Sequence, residues 1–158
     1  MDNNSYGQIN SIVDEIIPIG TKAQNQAKIG EIIRKNLFLN SSLEFYRYKE
    51  SSSVIKFTCR NSKFNFFGKV RLNESDGIIS KLERYPRYSN AIDYLNIIVE
   101  LHEKGKTQKQ ISHRLCLSQA TISRIIREYY KVVWKIIKKY KLKNKEVILL
   151  LSMITSNS

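Results

Sequence analysis

The chain has 158 residues, 42% of them hydrophobic, which suffices for one compact core, or two small ones joined by a helix, and for little more. Its 27 Lys and Arg against 14 Asp and Glu give a formal charge of +13, a long-range attraction for nucleic acid or an acidic membrane surface. The two cysteines, Cys59 and Cys116, stand far apart, which argues against a zinc site or a disulfide framework and for a reducing, intracellular setting.

In chain order, the first residues lack the basic and apolar segments of a secretory signal. The longest apolar run, 147–151, is too short to span a bilayer, so a soluble cytoplasmic protein is expected. Ile9, Ile12, Val13, Ile16 and Ile17 recur at i, i+3, i+4, which predicts an amphipathic helix over 9–17 closed by Pro18 and Gly20. A second helix is predicted over 23–37, with Ala27, Ile33 and Leu37 on one side. Segments 43–49, 54–60 and 64–72 are rich in aromatic and β-branched residues with period-two alternation, as in Ile55, Phe57 and Cys59. Ser51, Ser52, Ser53, Asn61 and Ser62 supply turn chemistry between them, so a three-stranded antiparallel meander is expected, covered on one face by the two helices. A short helix is predicted over 75–82, and 84–88, around Pro86, is the expected boundary.

Beyond it, Ser89 is the expected cap of a helix whose apolar positions are Ala91, Tyr94, Leu95, Ile98 and Leu101, with Gly105 as the left-handed residue that stops it. Thr107 and Gln110 have the T-x-x-Q spacing of a capping box, which starts a helix at Gln108 with Ile111 and Leu115 inward. Cys116, Leu117 and Ser118 break the period. Ser118 then caps a further helix from Gln119 that buries Ile122, Ile125 and Ile126. Its apolar stripe continues through Tyr129, Val132, Val133, Ile136, Ile137 and Tyr140, with Lys131, Lys135 and Lys138 opposite. Such a stripe needs cover, either from the N-terminal unit and segment 147–154 or from a second copy of the chain. Charge is concentrated here: 101–145 holds thirteen Lys or Arg against two acids, Glu103 and Glu128, whereas the rest holds fourteen against twelve.

The stretch from Gln108 to Arg127, helix, three-residue turn, helix, resembles the helix-turn-helix DNA-binding superfamily, in particular its Trp-repressor-like, resolvase-like and transposase-type units. Ile111, Leu115, Leu117, Ile122 and Ile125 fall where that family keeps its apolar contacts. Cys116 stands where it prefers Gly, and Ser112 where it prefers Ala. The resemblance implies that the helix from Gln119 enters the major groove, with Gln119, Ala120, Ser123 and Arg124 at base edges, and the chemistry agrees: Gln suits adenine, Arg guanine, and a methyl meets thymine. Thr107, Gln108, Lys109, Ser118, Thr121, Arg127 and Lys131 would hold phosphates and fix register.

The expected fold is therefore α+β: a small N-terminal unit (1–85) of helices and a three-stranded antiparallel meander, its role open, with dimerisation as one option. An all-α helix-turn-helix module (86–158) with a long basic C-terminal helix would follow. The expected function is sequence-specific binding of double-stranded DNA by a homodimeric transcriptional regulator, associated with the nucleoid, with no cofactor and no metal. The alternatives are a plasmid or viral replication, copy-control or partition protein, and, more weakly, a sigma-like adaptor or part of a recombinase or transposase. Catalysis is not expected, because Asp14, Glu15, Glu44, Glu50, Glu74 and Asp76 are scattered and His113 reads as an ordinary helix residue.

Overall fold

The computed structural model describes residues 7–9, 15–141 and 149. Two compact units separate: the chain up to Arg87 together with His113–Cys116, and Tyr88–Ser112 together with the chain from Leu117 onward.

The first unit contains strands β1 (Gly7–Gln8) and β2 (Ile16–Pro18), helix α1 (Lys22–Asn36), and strands β3 (Glu44–Glu50), β4 (Val54–Arg60), β5 (Phe64–Leu72) and β6 (Asp76–Pro86). All strand pairs are antiparallel, in the order β1, β6, β5, β4, β3; β2 shares the outer edge of β6 with β1. Helix α1 begins with a Thr21–Gln24 capping box, which satisfies two backbone N–H groups left open by the first turn. It buries Ile29, Ile32 and Ile33 against the sheet face formed by Ile55, Phe57, Cys59, Phe66, Val70, Ile79 and Leu82. Phe57 pairs with Gly68 across β4 and β5, and a Cβ at Gly68 would clash with the edge of the Phe57 ring at Cζ and Cε1.

The opposite face of the sheet receives the last turn of a helix from later in the chain, α3 (Gln108–Leu115). The final carbonyls of a helix have no partner within it. Here the Thr58 hydroxyl donates to the His113 carbonyl at 2.8 Å and the Asn65 amide to the Leu115 carbonyl at 3.4 Å. Arg114 is buried, its guanidinium 4.2 Å from the centre of the Phe67 ring and its Nε 2.7 Å from Glu83 Oε2. Glu83 also accepts the Tyr85 hydroxyl, and its Oε1 lies 3.1 Å from the Lys81 ammonium. Cys116 closes the turn with φ 55°, the left-handed region that costs a residue with a Cβ roughly 1 kcal/mol. Burial pushes its thiol up to about 11 against the pull of Arg60, Arg47 and Arg87. Both cysteines are free.

In the second unit a 3-10 turn (Ala91–Tyr94) leads into α2 (Leu95–Glu103), and α4 (Gln119–Tyr140) follows α3. The cap residue of the 3-10 turn is Asn90, without a side-chain capping bond, rather than Ser89. Gly105, at φ 85°, ends α2: its N–H donates to the His102 carbonyl and that of Lys106 to the Leu101 carbonyl, the paired bonds of a Schellman motif. Val99 of α2 packs with Tyr129 and Val133 of α4, flanked by Leu95, Tyr130 and Ile137.

This architecture corrects the α+β arrangement expected from sequence, an N-terminal unit of helices with a three-stranded meander followed by an all-α helix-turn-helix module. Among the described residues the sheet has six strands in five positions, and all of the helices except α1 come after it. Where a helix was expected over 9–17, Ile16–Pro18 is a strand with Ile17 buried and Ile16 61% exposed, a period of two; Ile12 and Val13 lie outside the described residues. The helix expected over 75–82 is the start of β6. Val70 pairs with Ile79 but Lys69 with Lys81, so Ser80 is a bulge, and the extra residue puts Ile79 and Leu82 on one face at helical spacing. Nor are 86–158 all one helical module, since the last turn of α3 is bound into the sheet unit by Arg114, Thr58 and Asn65.

Candidate nucleic-acid interface

All eleven residues assigned to DNA lie in the second unit. At the start of α3 the Gln110 side chain accepts from the Thr107 N–H at 2.9 Å and the Thr107 hydroxyl from the Gln110 N–H at 3.1 Å, a reciprocal capping box. Thr107 and Lys109 are exposed and Gln108 half-buried. Ser112 is buried and its hydroxyl donates to the Leu117 carbonyl, so the residue found in place of a small Ala ties the helix to the turn that follows.

Ser118 caps α4: its side chain accepts from the Thr121 N–H at 3.1 Å and lies 2.8 Å from the Thr121 hydroxyl. The first residues of the helix, Gln119 and Ala120, are exposed, so the positive end of the helix dipole opens to solvent. Along α4, Ile122, Ile125, Ile126, Tyr129 and Val133 are buried. Opposite them Ala120, Arg124, Arg127 and Lys131 are exposed, and Ser123 and Thr121 half-buried at the flanks. Lys131 pairs with Glu128 at 3.4 Å, which offsets part of its charge. Four base-edge candidates thus share the first turns of one helix, and the phosphate candidates Thr107, Gln108 and Lys109 belong to the start of α3.

One residue of this face escaped sequence reasoning. At 3.6 residues per turn, Trp134 falls within an arc of roughly 80° that also holds Arg124, Arg127, Lys131 and Lys138. It is 61% exposed, an aromatic ring among cations. Carrying the helical projection one turn past Lys131 reveals it.

Among the described residues, no group of three or more His, Cys, Asp or Glu is placed to hold a metal ion, and no helix is long and apolar enough to cross a membrane. Of the scattered acids named from sequence, Glu15 contacts Asn36, Glu44 Arg60, Glu50 Tyr48 and Asp76 Asn73, and Asp14 lies outside the described residues. Compared with models of protein families, with curated proteins and with solved structures, the chain matches none.

Proposed function

We propose that the protein is a sequence-specific double-stranded DNA-binding protein, a transcriptional regulator without catalytic activity, that reads the major groove with the N-terminal turns of α4. The observation that carries this reading is the exposed face of α4. A Ser-capped helix start bearing Gln119, Ala120 and Arg124 runs on into Arg127 and Lys131 while the other side of the helix is buried. Gln119 and Arg124 carry the groups that read adenine and guanine. The Thr107 and Ser118 turns offer backbone N–H and hydroxyl groups to phosphates on either side. In this reading the α3–α4 corner acts as a helix-turn-helix, and association with the nucleoid follows. Selection of bound sites from a random duplex pool tests it. A defined motif is the expected outcome, and a chain that retains no duplex in dilute salt refutes the reading.

Trp134 gives this proposal an internal reporter, since it is the only tryptophan of the chain. It stands fifteen residues beyond Gln119, roughly 22 Å along the helix, farther than the ~12 Å width of the major groove. With the first turns of α4 in the groove, the indole meets the sugar–phosphate backbone. Saturating duplex is expected to quench its emission and reduce its access to iodide. Unchanged emission while fluorescence anisotropy of a labelled duplex reports saturation would show that this end of α4 stays off the DNA.

The reading includes a homodimer. Beside and beyond buried Val133 the apolar stripe of α4 is only partly covered: Ile136 and Ile137 are half-buried, and Val132 and Tyr140 are 54% and 61% exposed. Most of segment 147–154, the intrachain alternative, lies outside the described residues; Leu149, within them, is 63% exposed. A dimer would cover the stripe and present two reading helices to two half-sites. Light scattering at micromolar concentration is expected to give twice the 18.5 kDa mass of one chain. A single-chain mass with and without DNA would exclude the dimer.

A further inference from the structure

Side chains alternate across a sheet, so the face of β3–β6 opposite Ile55, Phe57 and Cys59 has its own composition. On it, Lys49 pairs with Lys56, Lys56 with Lys69, and Lys69 with Lys81. Four lysines therefore stand side by side across four adjacent strands, in a row about 14 Å long at ordinary strand spacing. Arg47 and Arg71, each two residues from a member of the row, share its face. Lys49, Lys56, Arg47 and Arg71 are exposed, Lys69 and Lys81 half-buried. The carboxylates of this face have partners of their own: Glu83 holds Arg114, Tyr85 and the inner lysine, Lys81; Glu44 lies 3.8 Å from Arg60; and Asp76, at the Arg71 end, accepts from the Asn73 amide.

Like charges directly opposite one another weaken a sheet. A row at strand spacing lies within the ~8–10 Å Debye length of ordinary buffers, so salt screens it only in part. A polyanion laid across the row removes that cost. We propose that the lysine row is a second anchor for the phosphate backbone of duplex DNA, resting on the reading of α4 as the sequence-specific contact. The row offers ammonium point charges and no group that reads a base edge, so it adds affinity without sequence information. A single strand would require aromatic platforms for its bases. The exposed ring on this side, Tyr46, is already stacked by the guanidiniums of Arg60 at 4.8 Å and Arg47 at 5.5 Å.

The test is the full chain carrying Lys49→Gln and Lys56→Gln, titrated against the selected site and a random duplex at several salt concentrations. The slope of log K against log salt is expected to shallow by about 1.8, at ~0.9 per phosphate contact, equally on both duplexes. Thermal unfolding is expected at or above the parent temperature, because a like-charge pair is gone. Lys49→Arg with Lys56→Arg is expected to keep the parent slope. Should the glutamine variant fail to fold, Arg71→Gln on the same face reads the same effect at one contact. A folded variant with the parent slope overturns the inference; if Arg124→Ala still separates cognate from random DNA, the reading of α4 survives that result. A parent chain that binds no duplex overturns both. Unchanged duplex binding with lost adhesion to phosphatidylserine vesicles would assign the row to a membrane surface and also overturn it.

Discussion

Glu83→Ala is expected to lower the unfolding free energy by about 3–5 kcal/mol, the cost of leaving a buried charge without its partner. The side chains of Arg114 and Glu83 are 4% and 8% exposed, and the variant strands the guanidinium of Arg114 over Phe67 while depriving the Tyr85 hydroxyl and Lys81 of their acceptor. Urea denaturation measures the loss, and a cost below about 1 kcal/mol would mean that water reaches the pair, as at exposed ion pairs. Glu83→Leu with Arg114→Met is expected to recover most of it, because neither charge then remains desolvated. The effect depends on pH. Burial alone would raise the Glu83 carboxyl, but hydrogen bonds from Tyr85 and Arg114, the charge of Arg114 and the contact with Lys81 outweigh it and hold the group below the usual carboxylate range. The folded value therefore lies beneath the unfolded one. The stabilisation is complete above the ordinary carboxylate range and disappears as pH falls through the depressed folded value. Glu83→Ala should flatten the acid limb of the stability profile.

Arg124→Ala is expected to weaken binding to the selected site by ~1–3 kcal/mol, while binding to random duplex changes little. The guanidinium lies on the exposed side of α4, one turn beyond Ala120 and opposite buried Ile122 and Ile126, so its removal leaves the core of the helix untouched. Competition titrations with the two duplexes separate the outcomes. Equal loss on both would reassign Arg124 to the phosphates.

The strands at 54–60 and 64–72 were legible because the face toward α1 carries apolar residues such as Ile55, Phe57, Cys59, Phe66 and Val70 while Lys56, Arg60, Lys69 and Arg71 stand on the other, so the alternation survives in the residue types even where both faces are covered. The start of β6 was illegible for the same physical reason turned around: a bulge at Ser80 changes the period to three, and three belongs to helices. The exposed face of α4 was legible because a helix writes both its faces within a few residues. The Arg114–Glu83 pair joins positions 31 apart, and nothing local announces it. The lysine row was hidden by addition. Outside 101–145 the acids nearly cancel the bases in number, but strand register gathers Lys49, Lys56, Lys69 and Lys81 onto one face while Glu50, opposite Ile55, lies on the other.

The outer strand β3 has a further consequence for handling the protein. Its free edge offers backbone groups that a second molecule could extend into a fibre, but Tyr46 is an extra residue between the Phe45 and Arg47 pairings, and Glu44, Arg47, Lys49 and Glu50 surround it with charge. A kinked border guarded by ionised side chains resists strand addition. Concentrated samples should therefore stay dispersed in the dilute buffers that duplex titrations demand, where crowding would otherwise invite precipitation.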